Sequence, residues 1–266
     1  MILTIKPTKF DLYVNTKKKT AANIRKETGA DIVINCWLYD MKTFEAVCDV
    51  KDDGKVLSDD KYTYWGYGFN HGDTRMTMSN DMSKWDNYFS VAAIIREGKK
   101  ESLKYVGSAL LGNRPRSAIG FKPNGEMIVY CTKTNTSITQ VQSDMLGFGC
   151  VDAMNLDGGG SVQISSIYGD ITSSRRVQGF LCIWIEHDEE ECPYSEPILT
   201  VKRGSKGNGA KWVQWMLNQH GNNLVVDGIF GSKSEAALLK FQKSVFTDKK
   251  EWDAKCGRKT RQKLKA

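Results

Sequence analysis

The chain has 266 residues, 40% of them apolar and 26% charged, and a net charge of +7. Those proportions belong to an ordinary globular protein and exclude a disordered or collagen-like chain. No run of about 18 apolar residues occurs, which excludes a membrane-spanning helix, and the opening MILTIKPTKFDLYVNTKKKT lacks the long apolar core of a secretory signal peptide.

Taken in order, Thr20 opens a helix through AANIRKET, which Gly29 ends as a left-handed C′ residue. ADIVINCWLY (30–39) follows as a buried strand. EAVCDV (45–50), TRMTMS (74–79), FSVAAIIREG (89–98) and GEMIVYCT (125–132) alternate or run apolar between turn residues, each as a strand. Ser137 caps a second helix, ITQVQSDMLG (138–147). CVDAMNL (150–156) is a short strand entering a glycine cluster, and VQGFLCIWIE (177–186) is the last strand. Three helices come after it. In the first, Val213, Met216, Leu217 and His220 share one face at i, i+3, i+4 and i+7. The second, SKSEAALLKFQKSV (232–245), has Ser232 as N-cap with Glu235 at capping-box spacing. GRKTRQKL (257–264) is the third. The expected class is α+β, a strand-rich mixed α/β domain followed by a small three-helix domain, with no repeat beyond a faint echo in the last helices.

Charge divides the chain the same way. Residues 1–196 carry 23 basic against 26 acidic residues, whereas residues 197–266 carry 15 against 5. Between the two regions, HDEEECPYSEP is acidic, holds two prolines and lacks apolar periodicity, as a linker does. The expected organisation is a catalytic domain over 1–186, a linker over 187–197 and a basic domain over 198–266. Seven cysteines without a CxxC pair argue for reduced thiols and against a disulfide framework or structural zinc site. His71, His187 and His220 are scattered, with no HExxH, so a zinc peptidase is disfavoured.

The basic region carries a dense set of spaced features. Gly204 and Gly207 precede its first helix, Val213, Gln214 and Leu217 lie within it, and Gly221 ends it. Asp227-Gly228-Ile229-Phe230-Gly231 then forms a turn in which the glycines supply positive φ and Phe230 plugs the space between helices, before Phe241-Gln242 in the second helix. In these features the region resembles the three-helix peptidoglycan-binding domain of bacterial and phage wall hydrolases. The second Asp-Gly turn of that family is replaced here by TDKKEWDAKCGRKT. The resemblance implies wall binding, with Asp227, Gly228, Phe230 and Gly231 at the binding turn. A net +10 suits anionic wall polymers, and no recognition helix or aromatic platform favours nucleic acid.

In the body, Asn155-Leu156-Asp157-Gly158-Gly159-Gly160-Ser161 places a carboxylate and three glycines at a strand end. The glycines make either a tight bend capped by Asp157 or a cradle that brings substrate against main-chain N–H groups. Upstream, Asn113-Arg114-Pro115-Arg116-Ser117-Ala118-Ile119-Gly120 puts two arginines beside a proline-fixed turn. They are either solvent-exposed or a bidentate clamp for phosphate. A third element is the strand end Asn35-Cys36-Trp37-Leu38-Tyr39-Asp40. A divalent ion shared by Asp152, Asn155 and Asp157 is not expected, because Asp152 and Asp157 would face opposite sides of the strand.

These three elements, in this order, resemble the phosphodiester glycosidase family, relatives of the lysosomal enzyme that removes N-acetylglucosamine from a phosphodiester. Its pattern is Asn-Gly-Gly-Phe-Phe, then Arg-x-Ala-x-Gly, then Leu-Asp-Gly-Gly-Gly-Ser. Residues 156–161 match fully and Arg116, Ala118 and Gly120 match the second motif, while Cys36 and Trp37 stand where the family has glycines. The resemblance implies hydrolysis at the anomeric carbon of a sugar 1-phosphodiester, without a cofactor. Asp157 would be base or nucleophile, Arg116 and Arg114 would hold phosphate, and Asn35 would hydrogen-bond the sugar. Gly158, Gly159, Gly160 and Ser161 would line the pocket, with Arg175 or Arg176 as a further anion contact. Asp40, Asp73 and His71 are reserve acid–base candidates. A thiol peptidase using Cys36 and His71 lacks a local signature.

The whole resembles a bacteriophage endolysin, made in the host cytoplasm and acting on the wall after release. The expected partners are peptidoglycan or teichoic acid, and the expected state is a monomer. The contrasting reading is a non-catalytic wall-binding or adhesion protein.

Overall fold

The computed structural model describes residues 1–59, 65–187 and 192–265. The chain forms two compact units, Met1–His187 and Asp188–Ala266. Of the expected linker, residues 188–191 lie outside the described residues. Residues 192–197 belong to the second unit: Cys192 and Tyr194 pack on its core, and Glu196 pairs with Arg261 (3.1 Å) and Lys265 (2.7 Å).

The first unit contains three antiparallel sheets. The first runs in the spatial order Ile2–Ile5, Met127–Thr136, Arg114–Phe121, Asp152–Asn155, Ala92–Arg96, Lys99–Lys100. The second runs Gly169–Ile171, Ile164–Ser166, Ile32–Asn35, Gly179–Ile185, Pro7–Val14. The third runs Lys55–Ser58, Val50–Asp52, Asn87–Ser90, Gly66–Phe69, Thr77–Ser79.

Alternation along the strands explains how these sheets pack. Ile32, Ile34, Leu181 and Ile183 enter a core shared with Ile119 and Phe121 of the first sheet and Tyr67 and Phe89 of the third. Val33, Phe180 and Cys182 point the other way, onto Ala21 and Ile24 of the helix Ala21–Thr28. That helix is capped by Thr20 and ends at Gly29 with φ +70°. Ile138, Val141 and Met145 of the helix Ile138–Gly147, capped by Ser137, cover the outer face of the first sheet beside Ala118 and Ala153. Burial on both faces is why the central strands read as unbroken apolar runs.

Several sequence expectations are corrected. Residues 89–98 are two strands, not one: Asn87–Ser90 belongs to the third sheet and Ala92–Arg96 to the first. Residues 45–49 form no strand beyond a bridge from Ala46 to Tyr39, and pairing begins at Val50. The arginine segment is a strand, Arg114–Phe121, with its register shift between Arg114 and Arg116. A bulge tolerates Pro115, which has no N–H for the ladder.

In the second unit, the helices Asn208–Gln219, Ser232–Val245 and Arg258–Leu264 enclose Val213, Leu217, Phe230, Leu238, Cys256 and Leu264. Gly231, not Ser232, is the N-cap of the second helix, and Glu235 pairs with Arg203 at 3.0 Å. His220 is the exposed cap of the first helix, its Nε2 2.9 Å from Leu264 O.

The faint echo is a structural repeat. Gln214 Nε2 donates to Asp227 Oδ1 (2.8 Å), Ile229 O (3.1 Å) and Ser234 Oγ (3.2 Å), while its Oε1 accepts from Gly228 N (2.9 Å). Gln242 Nε2 donates likewise to Asp253 Oδ1 (3.0 Å), Lys255 O (3.1 Å) and Thr260 Oγ1 (3.3 Å), with Oε1 accepting from Ala254 N (2.8 Å). The second turn is therefore kept as Asp253-Ala254, and Ala254 takes φ +54° where Gly228 takes +76°. An L-residue pays about 1–2 kcal/mol for that conformation, partly offset by the greater entropy glycine loses on folding. Ala254→Gly is expected to stabilise this unit by about 0.5–1 kcal/mol in denaturant unfolding. A loss of stability would contradict this account of the turn.

Candidate active site

The three sequence motifs meet at the end of the central strands. Asn35 ends its strand fully buried. Its Nδ2 donates to Asp157 O (2.7 Å), and its Oδ1 accepts from Ser117 Oγ (2.7 Å) and Gln163 N (3.1 Å). Main-chain bonds reinforce the junction: Leu156 N donates to Ser117 O (2.8 Å) and Asp157 N to Cys36 O (2.9 Å). Asn35 therefore presents no surface to a sugar. It positions the backbone of Asp157, a correction to the sugar-binding role.

Each glycine after Asp157 has its own steric reason. A Cβ at Gly158 would lie 3.1 Å from Pro115 O, and one at Gly160 would lie 2.8 Å from the guanidinium carbon of Arg175. Gly159 has φ +64°. The tight bend lets Asp157 sit half-buried between Arg114 on one strand and Arg175 on the loop before the last strand. Burial pushes the Asp157 carboxyl up to about 6, against the Ser161 hydroxyl, the Gly158 N–H and the two guanidiniums, which all pull it down.

The arginines divide in role. Arg116 is fully buried, donating from Nε to Thr136 O (3.0 Å) and from Nη2 to Gly112 O (2.5 Å). Its Nη1 is buried without a partner, and burial together with neighbouring Arg114 lowers its pKa to about 10. Arg116 thus braces the turn from behind instead of standing open as a clamp. The accessible cations beside Asp157 are Arg114 and Arg175, whose Nη1 is 3.5 Å from Ser161 Oγ. Arg176 is exposed, and its carbonyl accepts from Tyr39 Oη at 2.9 Å.

Trp37 lies in the core. It is fully buried, its Nε1 hydrogen-bonds Gln178, and its ring occupies the space beside Gly179, where a Cβ would be 2.0 Å away. Cys36 is also buried, and burial drives its thiol well above the ordinary range, while His71 pairs with Asp53 at 2.9 Å. The pair is no thiol–imidazole dyad. Asp40 caps its own turn through Lys42 N (2.6 Å) and Thr43 N (3.0 Å), and Asp73 accepts from Asn70 N (2.8 Å). Asp152 is held by Tyr67 Oη (2.6 Å) and Arg75 Nη2 (2.8 Å). Sequence reasoning missed Tyr39, Ser117 and Gln163. Ser117 was visible as the variable position of the arginine motif, and Tyr39 lies four residues after Asn35.

In the second unit the four expected wall-binding residues shape the turn. Asp227 is occupied by Gln214 and by Ile229 N (2.8 Å), Gly228 approaches Gly207 O, and Gly231 caps a helix. Phe230 has no exposed surface, which removes it as a ligand contact. Ile229, between them, is 53% exposed.

A sequence model of the family described as "Phosphodiester glycosidase" matches residues 14–184, most of the chain. The chain belongs to the phosphodiester glycosidase family. Residues 206–245 match the model described as "Putative peptidoglycan binding domain". Among solved structures, a hypothetical protein from Synechocystis is similar with TM-score 0.58 and 12% identity, over 70% of this chain and 59% of that one. The zebrafish N-acetylglucosamine-1-phosphodiester alpha-N-acetylglucosaminidase catalytic domain, auto-inhibited by its pro-peptide, is similar with TM-score 0.55 and 15% identity, over 68% and 73%. At these identities the likeness is one of fold. No curated protein matches the chain.

The raised carboxyl of Asp157 has a consequence for stability. Its folded-state pKa of about 6 lies above the ordinary 3.8, so the folded protein keeps a proton that the unfolded chain releases in between. The stabilising contribution is full below about pH 4 and is lost as pH rises through about 6. Asp157→Asn is expected to raise stability at pH 7, by up to about 3 kcal/mol, and by much less at pH 4. Urea unfolding at the two pH values checks this, and a variant less stable at pH 7 would contradict it.

Proposed function

We propose that this protein is a cell-wall hydrolase whose first unit cleaves a sugar 1-phosphodiester in a wall-attached polymer, with Asp157 as the reacting carboxylate. The observation that carries this reading is the single half-buried carboxylate set between Arg114 and Arg175, with Arg116 behind them. The two guanidiniums of Arg114 and Arg175 beside one carboxylate leave a net positive site, suited to a phosphodiester anion.

The chemistry follows from that charge. Phosphate is already a good leaving group, so it departs with the C1–O electron pair without a strong general acid. The site must hold the phosphate and stabilise the oxocarbenium-like carbon. Arg114 and Arg175 suit the first task and ionised Asp157 the second. Asp157 also takes the proton of the attacking water or attacks C1 itself. Either route needs the carboxylate ionised, so activity rises with pH through about 6.

The second unit anchors the enzyme to peptidoglycan. The glycan backbone of peptidoglycan has no phosphodiester, so the polymer cleaved is a phosphate-linked one carried on the wall, such as teichoic acid or its linkage unit. Seven free cysteines suit manufacture in a reducing cytoplasm. That suits a phage or prophage endolysin that reaches the wall after release.

Incubating the protein with Gram-positive walls and identifying soluble products by mass spectrometry tests the proposal. New reducing-sugar and phosphomonoester ends are expected, and Asp157→Asn should release at least about 1,000-fold less. New amino-terminal ends would mean a peptidase or amidase. Wall binding without products from either protein would mean a non-catalytic binder.

A further inference from the structure

Tyr39 lies on the loop after the strand Ile32–Asn35 and is held there firmly. Its backbone bridges Ala46, and its ring packs edge-on against Phe44 with centroids 5.3 Å apart. The half-buried phenol donates to Arg176 O at 2.9 Å, and its oxygen faces the Ser161 side chain and the Asp157 carboxylate.

Ser161 belongs to the same cluster, its Oγ 3.5 Å from Arg175 Nη1. The loop that Tyr39 grips through Arg176 is the loop that carries Arg175. That loop is tied to the glycine segment by Ser173 Oγ on Gly160 O (2.5 Å) and by Gln163 Nε2 on Arg175 O (3.0 Å). The groups facing Asp157 are thus the cations Arg175 and Arg114 and the neutral Cys36, Ser161 and Tyr39.

We propose that Tyr39 is a positioning residue for Asp157, its hydroxyl fixing, through Arg176 O, the loop that carries Arg175 to Ser161 and the carboxylate. The proposal rests on Asp157 being the reacting group. Burial raises the Tyr39 phenol further above its ordinary value, so it stays protonated and keeps its bond to Arg176 O throughout the range in which Asp157 titrates. A phenylalanine, which the opening motif of the family carries four places after its asparagine, would keep the ring and lose the bond to Arg176 O. Without it the Arg175 guanidinium is held less firmly beside Asp157, which disfavours the carboxylate.

The test is a carboxyl-carbon NMR titration of Asp157 in the full chain, run beside the pH dependence of wall-polymer hydrolysis. Tyr39→Phe is expected to raise the Asp157 midpoint by about half a pH unit or more, and to move the acid limb of the rate profile upward with it. Ser161→Ala is expected to raise the midpoint as well, and the double variant to move it by less than the two single shifts together. An unchanged midpoint in Tyr39→Phe, or strictly additive shifts, would overturn the proposal. If Asp157→Asn leaves hydrolysis intact, the reading of the site fails instead, and the NMR midpoint still decides the role of Tyr39.

Discussion

One buried carboxamide holds the site together. Asn35 comes from the second sheet, Ser117 from the first, and Asp157 and Gln163 from the segment between the strands Asp152–Asn155 and Ile164–Ser166. A buried amide must satisfy its donors and acceptor within the protein, so its partners are held to hydrogen-bond distance. Segments 82 and 122 residues from Asn35 are thereby fixed to one point. Asp157 receives its position through its own backbone, which leaves its carboxylate free to face the arginines.

The electrostatics follow from that placement. A carboxylate pulled out of water holds its proton to a higher pH, while Arg114, Arg175 and Ser161 oppose this and leave the midpoint near 6. Arg116 is buried close enough to Arg114 for both burial and like charge to disfavour its own cation. The bulky departure from the family's first motif is absorbed by the core, where Trp37 packs against Gly179.

Much of this was legible in the sequence where a local physical rule decides. Thr20 and Ser137 cap their helices, and Gly29 ends one, because a hydroxyl oxygen and a missing Cβ act within a few residues. The order of the motifs gave the right junction. What stayed hidden depends on distant partners. The apolar run 89–98 shows no break at Val91, yet the chain changes sheets there. Arg116 looks like a surface cation, since no local pattern reveals that Thr136 and Gly112 carbonyls wait for it inside. The second turn of the C-terminal unit was masked because Ala254 replaces the glycine, although Gln242 holds it as Gln214 holds Asp227-Gly228.

The proposed activity requires a site that takes an anionic sugar phosphate in preference to a neutral glycan. The most direct measurement is calorimetric binding of N-acetylglucosamine 1-phosphate and of N-acetylglucosamine to the full chain and to its Arg114→Ala and Arg175→Ala variants. The account predicts that the phosphate binds the native protein at least about tenfold more tightly than the neutral sugar, and that each variant loses about tenfold for the phosphate alone. Equal affinity for the two sugars, unaffected by either substitution, would contradict it.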